Sequence, residues 1–302
     1  MSFMNEAARE IVKDIRALKI QGARNIANAG INALVLESDS FDGTSVKEYK
    51  SALLVAADEI ASARPTEPML KNYLRFVLSR IMGSEDESVE ALKERVRDIR
   101  KRINEDMVHT ITMLRDYGAS LIHDGMVCYT HCHSSTVTGI FKEAYDDGKD
   151  FYVVVSETRP RYQGVKTAKE LAGYGIPTTL AVDSAAHIYI KRCDAVFVGA
   201  DAITASGNLI NKVGTAMVAH FAYHLDIPFY SAAELYKFDH LTKWGMPVPI
   251  EQRDPDEVLK NPGLKNLKIE NPAFDVTPAK YITAYITEKG IIPPQAIILL
   301  SR

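Results

Sequence analysis

The 302-residue sequence predicts an N-terminal all-helical domain, residues 1–117, followed by an α/β domain with a doubly wound parallel sheet, residues 118–302. Two textures of apolar patterning carry this reading. Up to about Gly118 apolar residues recur at helical spacing, whereas beyond it short apolar runs alternate with helical stretches. Near-continuous apolar strands separated by helices call for a parallel sheet covered on both faces.

The helical half opens with Ala8, Ile11, Ile15 and Leu18 on one face. Lys50–Ala63 and Met69–Met82 continue the pattern, with Pro65 and Pro68 as breakers between them. From Asp86 to Tyr117 no Pro or Gly interrupts the chain; acidic residues lead the segment and Gly118 stands where a helix C-cap belongs. Its charge run reads as a solvated helix face. In the second half, strands are expected at Met126–Thr130, Phe151–Val155, Thr178–Val182, Ala195–Val198 and Ile227–Tyr230. The intervening helices are expected at Ser134–Asp147, Gly164–Gly173, Ser184–Arg192 and Gly207–Leu225. Tyr281–Ile286 is read as helix and Ala296–Leu300 as strand. Sheets of this kind bind ligands just beyond the carboxyl ends of their strands.

Composition excludes several classes of function. The 36 basic and 39 acidic residues leave a net charge of −3, without the basic excess of a protein that neutralises nucleic-acid phosphates. Apolar runs such as Ala195–Val198 are too short to cross a bilayer, and the opening MSFMNEAARE lacks the apolar core of a secretory signal. Cys128, Cys132 and Cys193 are too few and odd in number for a disulfide framework. A cytoplasmic protein with no membrane or direct nucleic-acid partner is expected. No G-x-G-x-x-G follows a strand, and the G-x-x-x-x-G-K-[ST], H-E-x-x-H and G-x-S-x-G signatures are all missing.

Polar groups at strand ends remain as candidates. Cys132 in CYTHCHSSTVTGIF lies where a strand runs into a helix that Ser134 or Ser135 can cap. A helix N-terminus lowers a thiol's pKa, so a thiolate is expected there; a small buried core thiol is the competing role. Cys128, His131, Cys132 and His133 do not make a metal site on this reading. Alternation along a strand puts the two cysteines opposite the two histidines, and a second ligand pair is missing. Asp201 ends CDAVFVGAD at another strand terminus, where Gly199 and Ala200 let a ligand approach; it can also cap the next element. Asp183 is better explained as a helix cap. Arg24, Arg64, Arg159, Lys212 and Lys237 form an anion site if they converge in space.

The segments YTHCHSSTV, SETRPRYQG, IPTTLAVDSAA, VFVGADAITASGNLINKVGT and IPFYSAAELYKFD succeed one another as in the sugar-phosphate isomerases related to translation initiation factor 2B. The early ARPTEP and the late FDVTPAKYITAYITEKGIIPP resemble the same family, so the likeness runs from about Gly22 to the C-terminus. It implies a helical domain joined to a Rossmann-like domain, assembled as dimers or as larger, hexamer-type arrays of dimers. The Cys132-His133-Ser134-Ser135 turn and the Asp183-Ser184-Ala185 segment look most like the archaeal ribose-1,5-bisphosphate isomerase branch. The methylthioribose-1-phosphate branch has C-N-T-G and D-N-M-A in these places, and non-catalytic factor-2B subunits generally lack the Cys–Asp pair. The resemblance implies Cys132 as base and Asp201 as acid. It also implies a site for a phosphorylated pentose lined by Gly22, Ala23, Arg24, Asn25, Arg64, Ser134, Ser135, Thr136, Arg159, Asn211, Lys212 and Lys237. No metal and no cofactor are implied. A methylthioribose-1-phosphate isomerase and a non-catalytic regulatory subunit are the alternatives.

Overall fold

The helical patterning of the N-terminal third folds as α1 (Glu6–Arg16), α2 (Ala23–Ser40), α3 (Val46–Ser62), α4 (Pro68–Met82) and α5 (Val89–Ala119). The computed structural model describes residues 4–85, 88–260 and 263–300. The chain divides into two units, Met1–His109 and Thr110–Arg302, the division falling inside α5. Helix starts follow capping chemistry. The Asn5 side chain accepts from the Ala7 and Ala8 N–H groups, Ser45 accepts from Glu48 N–H, and Pro68 takes the first position of α4. Gly30 lets α2 lie against α4, since a Cβ there would stand 2.2 Å from Leu70 Cδ1.

The long helix is expected from Asp86; residues 86 and 87 lie outside the described residues, and α5 is seen from Val89. Gly118 does not cap it. The helix runs through Gly118, whose missing side chain makes room for Ile140: a Cβ would stand 2.4 Å from Ile140 Cδ1.

The second unit contains β1 (Val127–His131), α6 (Ser135–Asp146), β2 (Tyr152–Ser156), α7 (Gln163–Tyr174), β3 (Thr178–Ala181), α8 (Ala186–Ile190) and β4 (Ala195–Val198). It continues through β5 (Ala202–Ile203), β6 (Leu209–Lys212), α9 (Thr215–His224), β7 (Phe229–Ala232), β8 (Phe274–Thr277), β9 (Ala284–Thr287), β10 (Gly290–Ile292) and α10 (Ile297–Leu300). Seven strands form one sheet in the order β10-β9-β7-β4-β1-β2-β3, parallel except for the β10 edge. The expected doubly wound parallel sheet is present. Alternation along β1 feeds two cores: Cys128 packs with Val137, Phe141 and Leu171 from α6 and α7, and Tyr129 with Ile190, Val218 and Ala219 from α8 and α9. Helices thus cover both faces.

Three expectations fail. The helix expected over Gly207–Leu225 begins only at Thr215, because Leu209–Lys212 is β6. β6 pairs antiparallel with β5 and with β8, Lys212 opposite Phe274, building a second sheet of three short strands. Tyr281–Ile286 is mostly the strand β9, and Ala296–Leu300 ends in the short helix α10. Each of β6 and β9 has one partner close in sequence, β5 and β10, and one far away, β8 and β7, and the distant partner leaves no local pattern. The fifth strand starts at Phe229 rather than Ile227, since Pro228 has no N–H to give a ladder.

Candidate active site

β1 lies between β2 and β4. The chain leaves β1 to one side through β2 and β3, then returns to the other side through β4 and β7. This reversal opens a crevice outside the carboxyl ends of β1 and β4, where doubly wound sheets take their ligands. Cys132 is the residue after β1, and Asp201 follows the end of β4 at Val198.

Cys132 leaves the strand with φ +71°, a left-handed conformation that non-glycine residues seldom adopt. Two threonine hydroxyls hold its backbone. The Cys132 N–H donates to Thr158 Oγ1 at 2.9 Å, and Thr167 Oγ1 donates to the Cys132 carbonyl at 2.9 Å. Immediately after it, Ser134 caps α6 by accepting from Val137 N–H, with Ser135 and the buried Thr136 in the first turn. The expected thiolate is not what this setting favours. Burial pushes the Cys132 thiol up to about 12, with Asp201 and Asp183 adding to the rise. The Lys212 charge and the His133 N–H act in the opposite direction and are outweighed. Desolvation disfavours the charged form more than one helix terminus favours it.

The short antiparallel sheet brings the other groups to the same crevice. Asp201 is half-buried, and its N–H donates to Ile210 O at 3.0 Å. Asn211 is buried and donates from Nδ2 to Thr215 Oγ1. Lys212 Nζ donates to Ala273 O at 2.9 Å and lies 5.1 Å from the centre of the Phe274 ring. Its charge acts on Cys132, His131 and Asp275 alike. Lys237 is 7% exposed, and Nζ donates to Ala200 O at 2.7 Å, so a cation stands buried beside the chain leading into Asp201.

Sequence reasoning missed the groups that hold this arrangement. His131 is buried; Val213 O can only accept, so the Nε2–H donates to it at 2.9 Å, and Nδ1 accepts from Ser156 Oγ at 2.6 Å. Burial pushes its pKa down and keeps the ring neutral. Asp275, from β8, accepts from Gly214 N–H at 2.7 Å and Ala216 N–H at 3.1 Å, and burial raises its carboxyl to about 6. His131 and Asp275 together fix the turn between β6 and α9. Asp183 does not cap its own helix. Its two oxygens accept from Thr158 N–H at 2.8 Å and Arg159 N–H at 2.7 Å, tying the end of β3 to the loop after β2. A single histidine or aspartate in or beside a strand is too common to announce such roles.

Of the remaining predicted residues, Arg159 is tied to the site by its backbone. Its exposed guanidinium donates to Tyr162 OH at 2.8 Å and to Val258 O at 3.3 Å. Gly22, Ala23, Arg24, Asn25 and Arg64 belong to the helical unit. There Gly22 precedes α2 with φ +86°, Ala23 begins the helix, and Asn25 Nδ2 donates to Gln21 O. Arg64 is buried and 3.7 Å from Glu67.

The ribose 1,5-bisphosphate isomerase of Thermococcus kodakarensis is 42% identical over 299 residues, covering 97% of this chain and 93% of that protein. A methylthioribose-1-phosphate isomerase from Desulforamulus reducens is 35% identical, covering 93% of this chain and 86% of that protein. The crystal structure of the Pyrococcus horikoshii OT3 translation initiation factor eIF-2B superposes with a TM-score of 0.82 at 32% identity, covering 97% of this chain and 99% of that one. Residues 19–294 match the Initiation factor 2 subunit family, and the chain belongs to that family.

Proposed function

We propose that the protein is an aldose–ketose isomerase converting alpha-D-ribose 1,5-bisphosphate into ribulose 1,5-bisphosphate, in a nucleoside (AMP) salvage route of the cytoplasm. The observation that carries this reading is Cys132 and Asp201 at the two strand ends of the topological switch, Lys212 and Lys237 supplying positive charge beside them. The 42% identity to the Thermococcus kodakarensis isomerase supports the choice of substrate. Self-association as a dimer or a larger array of dimers belongs to the same proposal.

The needs of the substrate dictate the chemistry. Asp201, protonated, gives its proton to the ring oxygen as the bond from that oxygen to C1 opens. The Cys132 thiolate removes the proton from C2, leaving a C1–C2 enol phosphate ester. The proton on sulfur then returns at C1, and the C2 hydroxyl passes its own proton to Asp201, leaving the ketone. Both groups end as they began. Burial holds a proton on the Cys132 sulfur in the free protein; turnover by this route requires that it pass to the Asp201 carboxylate as substrate binds, a transfer against the thiol's raised pKa that leaves the charge of the pair unchanged. The reaction moves only protons and calls for no redox cofactor.

The test is turnover of ribose 1,5-bisphosphate, ribose 5-phosphate and methylthioribose 1-phosphate by one preparation at matched ionic strength. A site built to pair two phosphates should reject an analogue lacking one by a factor of about 10⁴ in kcat/KM. Comparable values for the methylthio sugar would identify the other isomerase. No turnover of any sugar by folded protein would identify a non-catalytic subunit.

A further inference from the structure

The residue that faces Cys132 from the loop after β2 is as unusual as Cys132 itself. Thr158 is fully buried and has φ +63°, a region that β-branched residues avoid. The surroundings over-determine it. Asp183 takes the Thr158 and Arg159 N–H groups on separate oxygens, a carboxylate closing on two successive backbone donors. With its backbone so fixed, Thr158 Oγ1 donates to Ser156 O at 3.2 Å and accepts the Cys132 N–H at 2.9 Å. The carboxyl ends of β1, β2 and β3 are thus linked sideways in one chain of contacts, Cys132 to Thr158 to Asp183.

We infer that Asp183 and Thr158 are positioning residues which hold the Cys132 backbone in its left-handed conformation and thereby aim the thiol into the crevice. This rests on the reading of Cys132 as the group that works on the substrate. The physical reason is the direction of the Cys132 side chain. Released from the Thr158 hydroxyl, Cys132 would return toward ordinary φ and swing its sulfur away from the site, leaving its N–H without that acceptor. Thr167 alone would then restrain the carbonyl side. Displacement of a reacting group by about an ångström can cost a hundredfold in rate.

Thr158→Val keeps size and branching but removes the hydroxyl, Thr158→Ser keeps the hydroxyl, and Asp183→Asn exchanges one acceptor oxygen for a donor that confronts an N–H. Each is compared with the parent in three ways: melting temperature, kcat and KM for ribose 1,5-bisphosphate, and the rate of iodoacetamide alkylation mapped to Cys132 by mass spectrometry. Thr158→Val and Asp183→Asn should lose about tenfold or more in kcat with smaller changes in KM, and their Cys132 alkylation rate should change by about fivefold or more. Thr158→Ser should stay within about threefold on both measures, the hydroxyl being the group that matters. The inference is overturned if Thr158→Val or Asp183→Asn, folded, alkylates and turns over like the parent, or if Thr158→Ser fails as badly as Thr158→Val. A parent without sugar turnover whose alkylation still responds in this pattern refutes the sugar assignment alone, and one whose alkylation does not respond refutes the positioning role. Where one variant fails to fold, the other decides by the same two readouts.

Discussion

Gly199 and Ser134 touch across the mouth of the crevice: a Cβ on Gly199 would stand 2.8 Å from the Ser134 Cβ and 2.9 Å from its Oγ. Gly199 comes directly after β4 and Ser134 caps α6, so one missing side chain lets the two strand ends that carry Asp201 and Cys132 close on each other. Gly199→Ala should therefore push Ser134 off its cap. Loss of a cap costs about 1 kcal/mol of stability, and kcat/KM should fall by about tenfold or more because both site strands shift. A melting curve and a kinetic assay check this; wild-type values on both would show that the contact is relieved without consequence.

Cys132→Ser should leave the fold intact and remove turnover by about a hundredfold or more, a hydroxyl being a far weaker base than a thiolate. Cys128 and Cys193 are buried and should tolerate replacement by Ala with most activity kept. In the free protein burial raises the Cys132 thiol to about 12. Its alkylation should therefore be slow at pH 7 and climb by about tenfold per pH unit well past the ordinary thiol range near 8.5. An alkylation rate that levels off below about pH 9 would contradict the burial argument.

Lys237 is the case in which stability and function should separate. A buried ammonium costs desolvation whether or not a ligand is present. Lys237→Met removes that charge while keeping much of the chain's length, so its melting temperature should stay level or rise. KM for the bisphosphate should rise by about tenfold or more as one phosphate loses its cation. Unchanged KM would remove Lys237 from the site.

His131 governs a pH dependence with a definite sign. Its pKa is lowered by burial, so the folded protein holds it neutral while the unfolded chain protonates near 6.5. The unfolded state then binds more protons, and the stability from neutral His131 is present above about 6.5 and lost as pH falls, by up to about 1.4 kcal/mol per pH unit. Asp275, raised to about 6, has the opposite sign, its contribution falling as pH rises from about 4 to 6. The difference in unfolding free energy between wild type and His131→Gln, traced from about pH 7 to about pH 5, isolates the histidine. It should shrink as the pH drops; a constant difference would mean that folding leaves the His131 pKa unshifted, and a growing one that His131 is charged in the folded protein.

Local pattern was enough for the parallel strands β1 to β4 and the helices between them: β1, β2 and β4 are short apolar runs, and β1, β2 and β3 pair with their neighbours in sequence, although β4 crosses back to lie beside β1. It was enough as well to put Cys132 and Asp201 at strand ends, where this class of sheet works. The short sheet of β5, β6 and β8 was beyond it: Lys212 pairs with Phe274 across 61 intervening positions, and nothing near Asn211 or Lys212 announces that partner. The state of the thiol was beyond it too. The sequence shows the helix terminus that would lower its pKa, while the burial that raises it comes from chain segments that only folding brings together. The same is true of Thr158 and Asp183. A threonine in a left-handed turn looks like any other loop threonine until the end of β3 supplies the carboxylate that holds it there. Composition and order along the chain therefore determined the parallel sheet and the placing of Cys132 and Asp201 at its strand ends, while long-range packing decided the protonation of the thiol, the backbone conformation around it and the cations beside it.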